Sequence, residues 1–204
     1  MRNCASVNNA KGTLNVLLTP NRDCVMRRLL LLRHAKTERD APSGRDRDRP
    51  LAARGRKDAA ELGAWLAGQR SLLPDLALIS TAVRARETWD IVQQQISDEV
   101  PQQGPAAHLP DLYGAEPAQL LAIIHSVAAE DPERLMIVGH NPGLHELALG
   151  LIGGGGAAGR AALAGNLPTS GFAVIDFAVE SWEGVAFGGG QLTQFVSPKL
   201  LKEA

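Results

Sequence analysis

Short apolar runs alternate along the chain with stretches whose apolar side chains recur at helical spacing. Leu29 to Leu32 are four consecutive leucines that leave no polar face for solvent, the mark of a strand buried on both sides. From Leu51 to Ala67 the positions Leu51, Ala59, Leu62 and Leu66 fall near helical spacing with charges between them, which predicts an amphipathic helix. A second short run, Leu76 to Ile79, follows Pro74 and ends at Ser80, and a helix from about Ala82 to Gln95 comes next. His108 and Leu109 close a weak third strand, and Pro117 suits the first turn of a helix running to about Ala129. Leu135 to Val138 is a clear strand closed by Gly139 and His140, after which Pro142 opens a helix to about Leu151. The run Gly153 to Gly156 ends that helix and reads as a flexible connection, continued by a Gly/Ala-rich loop to about Gly165. Phe172 to Phe177 and Leu192 to Phe195 are the closing strands.

Strands alternating with helices predict an α/β protein: a three-layer α/β/α sandwich with a central, mostly parallel sheet of about five or six strands and helices on both faces. In such sheets ligands bind beyond the carboxyl ends of the strands. With 204 residues, 45% of them apolar, the chain can bury one substantial core, so residues 26–204 are expected to form a single domain. Residues 1–25 mix Asn, Ser, Thr and Pro without periodicity. They read either as a short docked or disordered extension or as sequence upstream of a true start at Met26.

Charge narrows the partners. The 21 basic and 22 acidic side chains leave a formal charge of −1, which gives no global field for nucleic acid or an anionic membrane, so any anion site must be local. No apolar run approaches the roughly 20 residues that span a bilayer, and no signal-peptide pattern opens the chain. The two cysteines, Cys4 and Cys24, offer no disulfide framework and no multi-cysteine metal site. A cytoplasmic home is the expectation, with no cofactor and no metal.

Three strand ends carry polar residues where the site rule places them: Arg33 and His34, then Ser80 ahead of Arg84, then Gly139, His140 and Asn141. These residue types suit phosphoryl transfer. A neutral imidazole is a good nucleophile near neutral pH because its usual pKa is about 6.5. Guanidinium groups are permanently charged and donate in pairs to phosphate oxygens. Two arginines and a second histidine surround the charge that builds on the equatorial oxygens, and no metal is needed for that.

Arg33, His34, Ala35 and Lys36, placed after Leu29 to Leu32, resemble the Arg-His-Gly signature of the histidine phosphatase (phosphoglycerate mutase-like) superfamily. Ser80, Arg84 and Thr88 resemble its second motif, and Val138 to Gly143 its third. The resemblance covers about residues 27 to 200. The short chain, with Arg49-Pro50-Leu51 ahead of Gly55, is most similar to the SixA-type phosphohistidine phosphatases. The resemblance implies that His34 is the nucleophile that becomes a phosphohistidine, that Arg33 and Arg84 clamp the phosphate, and that His140 donates a hydrogen bond or positive charge to it. Ser80 and Thr88 read as structural. Ala35 stands where the family usually has Gly, as in the SixA-like subset. For a proton donor, Asp111 is the candidate by its order along the chain. A phosphohistidine substrate needs little acid help, because a phosphoramidate nitrogen is readily protonated. The implied substrate is a phosphorylated protein bearing phosphohistidine or a small phosphorylated metabolite.

Arg86 reads as a solvated helix residue, and the basic loop carrying Arg39, Arg45, Arg47 and Arg49 as a solvated face or a recruiting surface. Asp111 also fits a turn after Pro110. His108, His125 and His145 read as structural or exposed. A cysteine phosphatase needs Arg six positions after its Cys, but Ala10 and Leu30 stand there. Asp46-Arg47-Asp48-Arg49 resembles the paired aspartates of aspartyl-phosphate phosphatases only superficially, since no strand precedes it. His145-Glu146 lacks the second His of a helical zinc motif, and no nucleotide P-loop or Gly-x-Ser-x-Gly elbow occurs. A phospholigand-binding module with little turnover and a phosphomutase remain the alternatives to a phosphatase.

Overall fold

In a computed structural model, residues 26–101 and 103–203 are described; the extension 1–25 lies outside the described residues. The strands are β1 (Met26–Arg33), β2 (Leu76–Ser80), β3 (Ala106–Leu109), β4 (Arg134–Gly139), β5 (Ile152–Gly155), β6 (Phe172–Ala178) and β7 (Gly190–Val196). The helices are α1 (Ala53–Ala67), α2 (Val83–Glu99), α3 (Pro117–Ser126), α4 (Gly143–Leu151), α5 (Ala157–Gly165) and α6 (Pro198–Glu203). The strands make one seven-stranded sheet in the order β3-β2-β4-β1-β6-β7-β5. β1, β2, β3 and β4 pair in parallel, β5 pairs in parallel with β7, and β6 is antiparallel to both β1 and β7. Only β6 therefore runs against the rest.

The four leucines of β1 serve two cores at once. Leu29 and Leu31 pack with Leu120 and Ile124 of α3, Leu144 and Leu147 of α4 and Leu163 of α5. Leu30 and Leu32 face the other way, onto Leu62 and Leu66 of α1 and Trp89 and Val92 of α2. Side chains alternate across a strand, so a central strand with helices on both faces must be apolar at every position. Each leucine so buried contributes about 1.5–3 kcal/mol relative to exposure.

The sequence expectation fails at one segment. Residues 152–165, read as a helix end, a flexible glycine connection and a loop, form the edge strand β5 and the helix α5. The glycines are there for close approach. Gly155 adopts φ +122°, and a Cβ on it would lie 2.3 Å from the Leu192 carbonyl oxygen of β7. The following segment is rich in alanine, the strongest helix former, and Leu163 anchors it in the core. This extra strand raises the sheet to seven. α6 was also not foreseen; Lys202 ties it to α1 through the buried carboxylate of Asp58, 3.1 Å away.

Candidate active site

The sheet register brings the two histidines together. Because β1 and β4 are parallel neighbours with Arg33 opposite Gly139, the residues just beyond them, His34 and His140, emerge side by side. The His34 N–H donates to the Gly139 carbonyl at 3.1 Å, and the ring centroids are 5.1 Å apart. β2 lies on the far side of β4, which places Ser80 under His140: Ser80 Oγ and His140 Nε2 are 2.7 Å apart. The Ser80 side chain, read from sequence as structural, thus holds the His140 ring.

The tautomer of His34 is fixed by its surroundings. Nδ1 lies 2.8 Å from the Ala35 carbonyl oxygen, which can only accept, so Nδ1 carries the proton and Nε2 the lone pair. Ala35 is itself anchored from α2. Its N–H donates to Thr88 Oγ1 at 3.0 Å, while the Thr88 hydroxyl donates to the Arg84 carbonyl at 2.6 Å. The Ala35 methyl lies in the core beneath α1 and α2, so the residue after the nucleophile is fixed by packing as well. Thr88→Val, which keeps the shape but removes the acceptor, is expected to leave the Ala35 N–H buried and unpaired. The fold should lose about 1–3 kcal/mol in chemical denaturation, with turnover falling and Thr88→Ser restoring both. Wild-type stability in the valine variant would show that this bond holds nothing.

Burial keeps both imidazoles neutral. Burial, followed by the fields of Arg84, Arg33 and Arg49, pushes the His34 pKa down to about 4, although the Ala35 carbonyl works against this. Burial again, with His34, Arg84 and Arg33 adding to it and Asp46 opposing, takes His140 down to about 3. The unfolded chain takes up protons on these histidines near pH 6.5 and the folded chain does not. Stability is therefore full above about pH 6.5 and falls as the pH drops from 6.5 through 4, by on the order of a few kcal/mol. Thermal melts from pH 7.5 to 4 check this: the wild type should lose more Tm than the His34→Ala/His140→Ala double variant. Equal losses would mean the buried imidazoles are not the source.

Arg33 is half-buried, and burial lowers its pKa. Among the described residues its guanidinium has no carboxylate partner; Nη1 donates to the Leu167 carbonyl at 2.9 Å and Nε has no partner at all. The same carbonyl accepts from Asn141 Nδ2 at 2.9 Å. The segment that supplies it arrives because β6 is antiparallel and therefore begins where β1 ends. Ser170 N–H donates to the His34 carbonyl at 3.2 Å, and the Gly171 carbonyl accepts from Arg33 N–H at 3.0 Å. Four buried polar atoms of this region, Arg33 Nε, His140 Nδ1, Asn141 Oδ1 and Ser170 Oγ, find no partner among the described residues. Such groups cost stability, and their concentration at one place marks a site.

Arg84 is 8% exposed and grips the loop between β1 and α1. Its Nη1 donates to the Asp46 carbonyl at 2.7 Å and its Nη2 to Asp46 Oδ2 at 3.0 Å. Asp46 accepts further bonds from Tyr113 Oη at 2.9 Å and Arg49 Nη1 at 2.9 Å. The Tyr113 ring meets His140 edge-on with centroids 5.5 Å apart, and the Arg84 and Arg47 guanidiniums lie 5.6 and 5.5 Å from its centroid. Arg49 is bound to Thr37 and Glu38 and so closes the loop on itself. The hydrogen bonds from Arg49, then from Tyr113, with Arg84 adding to them, hold the Asp46 carboxylate down to about 2.

The structure brings His34, Arg33, Arg84 and His140 to one edge of the sheet. Asp111 does not join them: it is exposed on the turn Pro110–Leu112, and among the described residues it makes no hydrogen bond or ion pair with the four. Its neighbour Tyr113 and the loop residue Asp46 come instead, and sequence reasoning missed both. The capture of Asp46 depends on a loop conformation that no spacing encodes. The other histidines are structural or exposed, as read: His125 donates to the Val185 carbonyl at 2.8 Å, His145 to the Leu163 carbonyl at 2.7 Å, and His108 faces solvent. Arg86 is exposed.

The sequence profile of the histidine phosphatase superfamily (branch 1) matches residues 29–104, the stretch that carries His34, Arg33 and Arg84. A protein of Agrobacterium tumefaciens named as the phosphohistidine phosphatase SixA is 32% identical, with a TM-score of 0.65 over 84% of this chain and 99% of that one. The chain belongs to the histidine phosphatase superfamily. A SixA-named protein of Nakamurella multipartitia, 26% identical, superposes with a TM-score of 0.70 over 85% of this chain and 96% of its own. An uncharacterized protein of Mycobacterium tuberculosis is 38% identical over 173 residues, 82% of this chain and the whole of the relative. Membership in the histidine phosphatases makes the chain a phosphatase at the level of reaction class. Among the described residues no helix is long and apolar enough to cross a membrane.

Proposed function

We propose that the protein is a phosphohistidine phosphatase acting on an N-phosphorylated histidine of a cytoplasmic protein, with His34 as the relay. The observation that carries this reading is the locked imidazole: Nδ1 is committed to the Ala35 carbonyl, which leaves the Nε2 lone pair free within the fields of Arg84 and Arg33. In the first step the His34 Nε2 lone pair attacks phosphorus and the bond to the donor nitrogen breaks. Arg33, Arg84 and His140 take the charge on the phosphoryl oxygens, which provides the electrostatic stabilisation without a metal ion. Ser80 occupies His140 Nε2, so Nδ1, buried and unpartnered among the described residues, is the ring atom left to donate to a phosphoryl oxygen. In the second step water attacks the phosphoryl group on His34, releasing inorganic phosphate and the neutral ring.

The substrate class follows from the carboxylate at the site. Asp46 stays ionised far below neutral pH and has no proton to give to an alkoxide. A phosphoramidate nitrogen brings its own proton. A radiolabelled phosphohistidine protein, mixed with the phosphatase in chelator and quenched in base, tests the proposal. Acid-labile label is expected on wild type, absent from His34→Ala, and chased into inorganic phosphate. Binding without labelling would make the protein a phospholigand-binding module, and faster turnover of small phosphomonoesters would make it a metabolic phosphatase.

A further inference from the structure

The Asp46 carboxylate sits on the same guanidinium that the phosphoryl group needs, yet its side chain is 53% exposed where that of Arg84 is 8% exposed. It therefore lies at the outer side of Arg84, toward the approach from solvent. Three donors hold it there: Arg84 Nη2 at 3.0 Å and Tyr113 Oη at 2.9 Å on Oδ2, and Arg49 Nη1 at 2.9 Å on Oδ1. Arg84 keeps its remaining N–H groups for a phosphate, since only Nη1 and Nη2 are engaged. A negative charge at the mouth of a phosphate site is costly for binding an anion, and sites that keep one use it to discriminate between partners.

Building on the phosphohistidine reading above, we propose that Asp46 is a specificity-determining residue: its carboxylate accepts a hydrogen bond from the protonated nitrogen heterocycle of the leaving group, and so selects phosphoramidates over phosphomonoesters. In an N-phosphorylated imidazole one ring nitrogen bears phosphorus and the other, protonated from solvent, bears N–H. Asp46 pairs with that N–H and favours the imidazolium form. When the N–P bond breaks, its electron pair returns to the ring, so the imidazolium departs as neutral imidazole. The new bond to His34 Nε2 makes that ring the cation, and the charge is conserved without a proton from the protein. In a phosphomonoester the departing oxygen gains negative charge beside the same carboxylate, and this repulsion opposes its departure.

The test compares kcat/KM for N-phosphohistidine and for p-nitrophenyl phosphate in wild type, Asp46→Asn and Asp46→Glu. The isosteric Asp46→Asn should lower the phosphohistidine value about tenfold or more and raise the ester value, with Asp46→Glu recovering part of the preference. Proportional losses on both substrates would overturn the proposal and reduce Asp46 to a support for Arg84. Proportional gains would overturn it too, and would make the carboxylate a plain competitor for the phosphate site. A wild type that hydrolyses the ester but leaves N-phosphohistidine untouched would overturn the phosphohistidine reading itself. A wild type active on N-phosphohistidine, whose preference survives in Asp46→Asn, would overturn only the role of Asp46.

Discussion

His34→Ala is expected to lower kcat on a phosphohistidine substrate by at least about a thousandfold, which corresponds to about 4 kcal/mol of transition-state stabilisation. The His34 imidazole is the group that would form the covalent intermediate, because the bond from Nδ1 to the Ala35 carbonyl leaves the Nε2 lone pair for phosphorus. His140 is neutral too, but its Nε2 is engaged with Ser80, and its other nitrogen, Nδ1, is buried and is the atom assigned to the phosphoryl oxygens. The loss should fall on kcat and kcat/KM together, because Arg33 and Arg84 still bind the phosphoryl group. The fold should survive, since the ring gives up one bond to the Ala35 carbonyl, and urea denaturation of the variant checks this. Undiminished turnover in a folded His34→Ala protein would end the covalent mechanism.

The second large effect is at Arg33, where activity and stability are expected to move in opposite directions. Its guanidinium is half-buried with only carbonyl oxygen for company, so its charge is poorly compensated in the absence of phosphate. Arg33→Met removes that charge while keeping an apolar stem of similar length. The Leu167 carbonyl stays satisfied, because Asn141 Nδ2 donates to it as well. Catalytic efficiency should fall about 100-fold to 1,000-fold, as for loss of a preorganised donor to transition-state charge. Thermal stability should hold or rise, a pattern common where function maintains a strained group. Arg33→Lys should not rescue the activity, since an ammonium is a point charge and cannot serve the carbonyl and a phosphoryl oxygen in one planar fork. A methionine variant that keeps its efficiency, or that melts far below wild type, would show that Arg33 is structural.

Much of this protein is written locally in its sequence. The leucines of β1 are apolar at every position because a strand between two helical layers has no solvent face, and that constraint is visible without coordinates. The three chemical clusters were legible for a related reason: each sits at the end of such a strand, and the parallel register carries His34 and His140 to one edge. Sequence alone thus determined the fold class and pointed to the sheet edge at which Arg33, His34, Arg84 and His140 stand together. What it could not determine depends on approach between distant backbones. The glycines of β5 look like flexibility until Leu192 of β7 is seen against them. The antiparallel course of β6, which delivers Leu167 and Ser170 to Arg33 and His34, is not signalled by an apolar run that reads the same in either direction. Asp46 is the sharpest case: along the chain it is one of several acids alternating with arginines, and only the folding of its loop onto Arg84 and Tyr113 separates it from Asp48 and Asp111. Apolar periodicity fixes what each element buries, while the contacts between loops are set by long-range geometry that tertiary structure alone decides.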